Sequence, residues 1–315
     1  MNLKTVLKLA KETFNAWSDD NATRLAAALA FYTVLSIAPL LVVAVAVAGL
    51  VFGDDAARGK IAQELSNVVG PSAGEGIQTL LSNARAPAEG ILGGIVGVVV
   101  LLFGASGVFG ELQSALNEIW EVEPKPGRGV LGIMRDRFFS FSMVMGVAFL
   151  LLVSMVFSAA LSAMGAFFTG ALPGGEALWQ AVNFVLSFSV IGVLFALLFK
   201  VVPDVKVSWR DVWPGALCTA LLFSIGKFGL GMYLGRASVA SPYGAAGSVV
   251  VLVIWVYYAA QILFLGAEFT RVYARFRGKQ IEPGKNAVPT PDASVPTVPK
   301  DEAQQESSGQ RLGRV

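Results

Sequence analysis

The residues of this chain that could do chemistry are a few polar and ionisable side chains within long apolar runs. Lys227 and Glu268 each interrupt such a run, and an ionisable residue at membrane depth marks a candidate functional site because its burial is costly. Lys227 either extends its ammonium group toward the outer headgroups or faces an interior vestibule, where it would attract an anionic headgroup. Glu268 could instead form a structural pair with Arg271 or Arg24. At a helical rise of about 1.5 Å per residue, we expect Lys227 and Glu268 to lie roughly 15–20 Å apart.

A proline stands near the middle of the first apolar run, residues 24–52. Pro39 has no N–H and collides with the carbonyl of Leu35, so we expect the helix to kink or to open locally there. The freed carbonyl needs a partner within the bilayer, and Tyr32, Thr33 and Ser36 precede it within two turns. The proline is either tolerated in an ordinary membrane helix or marks a midplane break that lines a substrate path.

The hypothesis of a substrate path extends to polar residues in the other runs. Asn117, near the inner end of the second run, could cap its helix or form a gate with Glu111 and Glu118. The full set of predicted path residues is Tyr32, Thr33, Ser36, Pro39, Asn117, Asn183, Lys227, Tyr257, Gln261 and Glu268.

The composition argues against several kinds of chemistry. Histidine is absent, which removes the usual general base and the commonest zinc ligand together with Ser–His and Cys–His catalysis. The single cysteine, Cys218, can form neither an intrachain disulfide nor a cysteine metal cluster, and the phosphate-binding loop of an ATP motor is missing. We therefore expect no enzyme activity, no catalytic residue, no metal site, no cofactor and no nucleic-acid partner.

The long apolar runs define the class of fold. The chain has 315 residues, of which 55% are hydrophobic and 15% charged, whereas soluble domains carry about 25% charged residues. Crossing a bilayer takes about 20 apolar residues, and six runs qualify: 25–52, 91–110, 138–165, 179–202, 213–234 and 248–269. We predict an all-α polytopic membrane protein with six transmembrane helices. The G-x-x-x-G spacing of the second run favours close helix packing, and Pro214 suits the first turn of the fifth span.

The segments around the spans are shorter and more polar. In residues 1–23, apolar residues recur at three- and four-residue steps beside Lys4, Lys8 and Lys11. This pattern predicts a cytoplasmic amphipathic helix on the membrane surface with its lysines toward the headgroups. Residues 61–69 and 76–84 predict two short extracytoplasmic helices, which form either a cap over the bundle or a solvated connector. Residues 111–137 indicate a charged loop, and residues 279–315 a disordered tail, so the six-helix domain spans residues 24–278.

The distribution of lysine and arginine predicts the orientation. One side carries Lys4, Lys8, Lys11, Arg24, Lys125, Arg128, Arg135, Arg137, Lys200, Lys206, Arg210, Arg271, Arg275, Arg277 and Lys279, and the other carries Arg58, Lys60, Arg85 and Arg236. The bias places both termini in the cytoplasm, and an even number of spans agrees with a shared side.

Four segments carry a resemblance to known proteins: residues 26–39 (AAALAFYTVLSIAP), 116–120 (LNEIW), 213–235 (WPGALCTALLFSIGKFGLGMYLG) and 243–268 (YGAAGSVVVLVIWVYYAAQILFLGAE). Together they resemble the YihY/virulence factor BrkB family of bacterial inner-membrane proteins, over most of residues 1–278. The resemblance implies a six-helix fold in the inner (plasma) membrane. It implies function only broadly, because some members carry an old ribonuclease label while others are linked to serum resistance or to movement of lipids or lipopolysaccharide precursors.

Two functional hypotheses follow from the residues and the resemblance. The first is a transporter or flippase-like protein for an amphiphilic, anionic lipid or lipid-linked substrate, with membrane lipids as its surroundings. The second is a non-transporting scaffold of a cell-envelope complex. A ribonuclease is disfavoured by the absence of histidine and of a large basic soluble face. The glycine-rich helix faces could pack within one protomer or between two, so a homo-oligomer remains an alternative.

Overall fold

The computed structural model of the chain describes residues 3–69, 71–83, 107–126, 175–236 and 247–291. The predicted third span, residues 138–165, and residues 91–106 of the predicted second span lie outside this part. Within it the chain is mostly helical and contains a two-stranded antiparallel sheet. The helices are α1 (Leu3–Asp19), α2 (Ala22–Phe52), α3 (Asp54–Val69), α4 (Pro71–Asn83), α5 (residues 107–119), α6 (Gly175–Val201), α7 (Trp209–Arg236) and α8 (Gly247–Phe276), and the strands are β1 (Val122–Pro124) and β2 (Ala287–Pro289).

The N-terminal segment forms α1, as its apolar spacing predicts, and a tight turn joins α1 to α2. The turn contains Asn21, whose φ of 50° lies in the left-handed region that asparagine tolerates better than most residues. α1 packs mainly against α8, and its buried residues are Leu9 and Thr13. α2 is helical from end to end. The helix therefore does not open at Pro39.

The two short helices predicted after the first span are present and are longer than expected. α3 packs against α2 and α4, and α4 packs against α8 and α2. Ile61 of α3 and Ile77 of α4 are buried together with Val45 of α2 and Leu252 of α8, and a hydrogen bond of 2.7 Å from Nη1 of Arg58 to the carbonyl of Leu81 joins α3 to α4. The alternative of a solvated connector is therefore wrong, because this hairpin forms a core with the bundle.

Helices α7 and α8 run antiparallel and approach each other closely through small residues. The side chain of Thr270 lies where a Cβ on Gly215 would be, and that of Thr219 occupies the same position relative to Gly266. The Oγ1 atoms of both threonines donate to carbonyls of their own helices at 2.7 Å, so their polarity is satisfied without separating the helices. Aromatic rings extend this core, with Phe223 edge-on to Phe195 of α6 at 5.7 Å.

Four helices extend beyond their predicted apolar runs. Residues 111–119 are helical rather than part of a charged loop, α6 begins at residue 175 rather than 179, and α8 continues to residue 276 rather than 269. α7 begins at Trp209, so Pro214 lies inside the helix and not in its first turn. Charged side chains at these helix ends find partners across the bundle, which hydropathy along one segment does not reveal.

The first part of the predicted disordered tail is ordered and forms what we call the C-terminal strap, residues 279–291. β2 pairs with β1 in the register Val122↔Pro289 and Pro124↔Ala287. The strap also contacts the loop between α6 and α7, where the N–H of Lys206 donates to the carbonyl of Glu282 at 2.9 Å. The prediction failed because these backbone hydrogen bonds depend on distant partners rather than on composition. Residues 292–315 lie outside the described part.

Large apolar side chains remain exposed on the outside of several helices. α7 exposes Leu217, Leu221 and Ile225 at four-residue steps, and α2 exposes Phe31 and Leu35. By length and composition, residues 209–230 of α7 and 249–276 of α8 could each cross a membrane, and residues 22–37 and 187–201 are shorter apolar helical stretches. Apolar outer faces over a packed helical core are typical of a protein whose solvent is lipid.

Candidate functional site

The ion pairs that join different segments of the described residues lie at one end of the bundle, which we call the basic end. It is formed by the α1–α2 turn, the end of α5, the α6–α7 loop, the end of α8 and the C-terminal strap. These are the segments that the lysine and arginine bias assigns to one side, so the structure brings them together as that bias requires.

Arg271 on α8 is the centre of an ion-pair network at this end. Its side chain is 4% exposed, and it contacts three carboxylates. Nη1 lies 2.9 Å from Oε1 of Glu121, while Nη2 lies 2.8 Å from both Oδ2 of Asp20 and Oε2 of Glu268. Arg275, one turn further along, donates to the second oxygen of Glu121 at 2.6 Å. The network therefore joins α8 to the α1–α2 turn and to the end of α5.

Glu268 is the most deeply buried member of this network. It is fully buried, and neither carboxylate oxygen accepts a hydrogen bond from the residues that the structure describes. Its 2.8 Å contact with Arg271 is therefore an ion pair whose angles do not meet the criteria for a hydrogen bond. The predicted structural pair of Glu268 with Arg271 is confirmed, whereas Arg24 pairs instead with Glu118 at 2.8 Å.

The backbone at the end of α5 is shaped to present Glu121. Glu121 has φ of 55°, in the left-handed region that non-glycine residues seldom adopt. Its N–H donates to the carbonyl of Glu118 at 3.0 Å, and its carbonyl accepts from the N–H of Thr290 at 3.0 Å. The C-terminal strap thus holds the residue whose carboxylate spans Arg271 and Arg275.

A second polar cluster fastens the α6–α7 loop to α5. Asn117, which is buried, donates from Nδ2 to Oδ2 of Asp204 at 3.1 Å and accepts from the N–H of Asp204 at 2.8 Å. Nε2 of Gln113 also donates to Oδ2 of Asp204, at 3.2 Å. Lys200 donates to the carbonyl of Val207 within the same loop. Asn117 therefore holds a loop in place rather than capping α5.

Glu111 and Glu118 lie two turns apart on α5, close to Arg24. Burial raises the pKa of the Glu111 carboxyl, the charge of Glu118 raises it further, and the charge of Arg24 lowers it. Asn117 contacts neither glutamate in the hydrogen bonds described for it. The predicted gate of these three residues stays a prediction.

Of the predicted path residues on α7 and α8, Glu268 belongs to the basic end, whereas Lys227, Tyr257 and Gln261 lie at a different level. Gly226, the neighbour of Lys227, packs against the ring and hydroxyl of Tyr258. Tyr258 precedes Glu268 by ten residues, which corresponds to about 15 Å along α8, so the expected separation of Lys227 and Glu268 agrees with the helix register. Lys227, Tyr257 and Gln261 are partly buried, and Oε1 of Gln261 has no hydrogen-bond partner within the described residues.

Two of the predicted path residues on α2, Tyr32 and Ser36, lie near Gly107, the first described residue of α5. Gly107 approaches the ring of Tyr32 and the hydroxyl of Ser36, and Ser36 is buried. The hydroxyl of Thr33 donates to the carbonyl of Leu29 at 2.7 Å. The side chains of Pro39 and Asn183 lie outside the described part, so their predicted roles are untested.

Sequence reasoning missed Asp20, Glu121 and Asp204 as parts of this end. Each lies just past or between helices, where an acidic residue is unremarkable. The available signal was the excess of arginine in the last turns of α8, at Arg271 and Arg275, because buried cations require carboxylates nearby. No group of three potential metal-ligating side chains occurs among residues 3–69, 71–83, 107–126, 175–236 and 247–291.

A mostly helical chain with apolar outer faces and ion pairs collected at one end has the features of a membrane protein. Its family follows from comparison with known sequences. The sequence model of the family described as Virulence factor BrkB matches residues 13–291, and the chain belongs to this family. The match extends past the predicted spans to include the C-terminal strap.

The relatives are also membrane proteins by name. The chain is 32% identical over 275 residues to a UPF0761 membrane protein of Verminephrobacter eiseniae, covering 85% of this chain and 61% of that protein. It is 29% identical to a UPF0761 membrane protein of Pseudomonas paraeruginosa, covering 83% and 61%, and 28% identical to one of Pseudoalteromonas translucida, covering 81% and 82%. The chain therefore spans about three fifths of the first two relatives. No solved structure matches it.

Proposed function

We propose that the protein is a multi-pass inner-membrane transporter or flippase-like protein for an amphiphilic, anionic lipid or lipid-linked substrate. In this proposal six spans cross the membrane, and both termini, with the basic end, lie in the cytoplasm. The excess of lysine and arginine in the segments that form the basic end supports this orientation.

The observation that carries the proposal is a cation within the apolar stretch of α7. Lys227 is partly buried in a helix long and apolar enough to cross a membrane. Tyr257 and Gln261 lie at a similar level on α8, and the amide oxygen of Gln261 is buried. A cation at membrane depth, with hydrogen-bonding side chains at a similar level on the neighbouring helix, is suited to an anionic headgroup.

A flux assay tests this proposal with a defined probe. The full-length protein is reconstituted into phosphatidylcholine vesicles that contain a trace of fluorescently labelled phosphatidylglycerol, and dithionite quenching reports the label that reaches the outer leaflet. A charge-assisted contact contributes roughly 1.5–3 kcal/mol, so we expect Lys227→Ala to slow the flux about tenfold or more. Pro39→Ala should also slow it if the middle of α2 lines the path.

Matched variants separate charge from general damage. Lys227→Arg keeps the cation and should retain more flux than Lys227→Ala. Lys279→Ala removes an exposed lysine at the start of the C-terminal strap and should leave the rate unchanged. If Lys227→Ala and Pro39→Ala both match the parent protein, the residue assignments are wrong.

The scaffold remains the second candidate because of the close contact between α7 and α8. Threonine side chains fill the space beside Gly215 and Gly266, and the Arg271 network joins α8 to α5 and α1. These contacts favour a body that does not open at the basic end. A parent protein that moves neither labelled phosphatidylglycerol nor labelled phosphatidylcholine would favour this second function.

A further inference from the structure

Helix α1 has three distinct faces, and only one of them is used by the fold. At 100° per residue, Leu9 and Thr13 fall on one side, and both are buried. The next face along the circumference contains Leu3, Leu7 and Phe14, which are 75%, 62% and 60% exposed. An exposed apolar face of this size is uncommon on a surface in contact with water.

The exposed apolar face is a continuous stripe. Leu3, Leu7, Ala10 and Phe14 are exposed and follow one another at alternating steps of four and three residues, which places them in one row on a helix. The ring of Phe14 stacks on that of Trp17 with centroids 5.6 Å apart, and Trp17 is partly buried against the core, so the exposed row ends at Phe14, where it meets the body of the protein.

A row of lysines lies beside this stripe on the side away from the buried face. Lys4, Lys8 and Lys11 directly follow Leu3, Leu7 and Ala10 in the sequence, and all three are exposed. Glu12 offsets one of these positive charges, because its Oε1 lies 3.7 Å from Nζ of Lys8 in an exposed ion pair. The row keeps a net positive charge along the edge of the stripe.

α1 is also held firmly to the rest of the molecule. Leu9 and Thr13 are buried where α1 packs on α8, and Asp20 in the following turn pairs with the buried Arg271. The orientation of α1 about its axis is therefore fixed, and the stripe cannot rotate into the core.

We propose that the stripe and lysine row of α1 form a docking surface for an anionic lipid leaflet. The apolar stripe enters the boundary between headgroups and acyl chains, and the lysines bind phosphate-bearing headgroups, as in interfacial amphipathic helices. A second copy of the chain fits less well, because pairing two stripes side by side would bring two rows of lysine together. The inference stands whether or not the protein moves a substrate.

Spin-label accessibility in vesicles tests the proposal on the full-length protein. In a Cys218→Ala background, a nitroxide is attached at Leu7→Cys in the stripe or, as the matched control, at Asn15→Cys, which is exposed on the lysine side. Collisions with oxygen, which concentrates in lipid, are compared with collisions with a neutral nickel chelate, which stays in water. We expect oxygen to dominate at position 7 and nickel to dominate at position 15.

Lipid composition supplies the test of charge. In vesicles containing phosphatidylglycerol, nickel accessibility at position 7 should be lower than in phosphatidylcholine alone. The combined variant Lys4→Gln, Lys8→Gln and Lys11→Gln should lose this difference while its unfolding temperature in detergent stays that of the parent. Added salt should weaken the difference in the parent, because screening shortens the range of the attraction to about 10 Å at 0.1 M.

Three results would overturn the inference. Nickel dominating at position 7 in both lipids would show a stripe facing water. Low collision rates with both reagents would show that protein covers it, and a short label-to-label distance between two copies would identify that protein as a second chain. An unchanged lipid effect in the triple lysine variant would remove the role of the charges.

Discussion

A single guanidinium at the basic end contacts three carboxyl groups from different segments of the chain. Arg271 contacts Asp20, Glu121 and Glu268, and Arg275 adds the second positive charge through Glu121. The planar fork of arginine can address several carboxylates at once, which an ammonium group cannot do with the same geometry. The arrangement therefore depends on the identity of residue 271 and not only on its charge.

Removing this guanidinium should destabilise the folded protein strongly. Breaking a buried ion pair by deleting one partner costs about 3–5 kcal/mol, because the remaining charge is left uncompensated. We expect Arg271→Met to lower the thermal unfolding temperature of the detergent-solubilised protein markedly, and Arg271→Lys to recover part of the loss. Thermal unfolding followed by tryptophan fluorescence measures both.

An exposed ion pair at the same end provides the control. Lys206 and Glu282 lie 3.2 Å apart with both side chains more than 60% exposed, and such pairs contribute about 1 kcal/mol or less. Lys206→Ala should therefore shift the unfolding temperature little. An Arg271→Met protein as stable as Lys206→Ala would contradict the central place given to Arg271.

At the scale of elements, the α7–α8 contact depends on the absence of a side chain at three glycines, Gly215, Gly226 and Gly266. A methyl group on Gly266 would overlap the side chain of Thr219. Overpacking of this kind costs about 1–3 kcal/mol, so Gly266→Ala should lower the unfolding temperature. Gly229→Ala, on α7, adds the same methyl group where nothing lies within 4 Å, and there it should be neutral or stabilising because alanine favours helix. Equal effects of the two changes would contradict the packing.

The sequence predicts helices better than it predicts where they end. Apolar runs and three- to four-residue spacing locate α1, α2 and the helices after residue 175, because hydropathy and periodicity are local properties. Hydropathy does not predict the last two turns of α8, because Arg271 and Arg275 interrupt the apolar run. Their charges are accommodated by carboxylates that include those of distant segments. The order of the C-terminal strap is not predicted for the same reason, because its partners are β1 and the α6–α7 loop.

The candidate site shows the same division. The pair of Glu268 with Arg271 follows from their spacing on one helix. The contribution of Asp20 and Glu121 depends on two turns with positive φ at Asn21 and Glu121. Neither turn contains a glycine, the residue that would have predicted a positive φ from the sequence.

At the scale of the whole molecule, the proposed orientation can be tested by labelling from one side of the membrane. In a Cys218→Ala background, Lys285→Cys lies in the C-terminal strap and Gly59→Cys lies on α3, and both positions are exposed. We expect a membrane-impermeant maleimide applied to intact cells, whose outer membrane has been made permeable, to label position 59 and not position 285. Labelling of position 285 under these conditions would reverse the proposed orientation.

Closure of the basic end also has a consequence for biosynthesis. Asp20 is made early, whereas its partner Arg271 and the C-terminal strap are made near the end of the described chain. At about 5–20 residues per second, the ribosome takes roughly ten to fifty seconds to travel from one to the other. During that interval Asp20 and Glu121 have no arginine partner. The basic end is therefore completed only when the last segments to be synthesised join the first ones in the membrane.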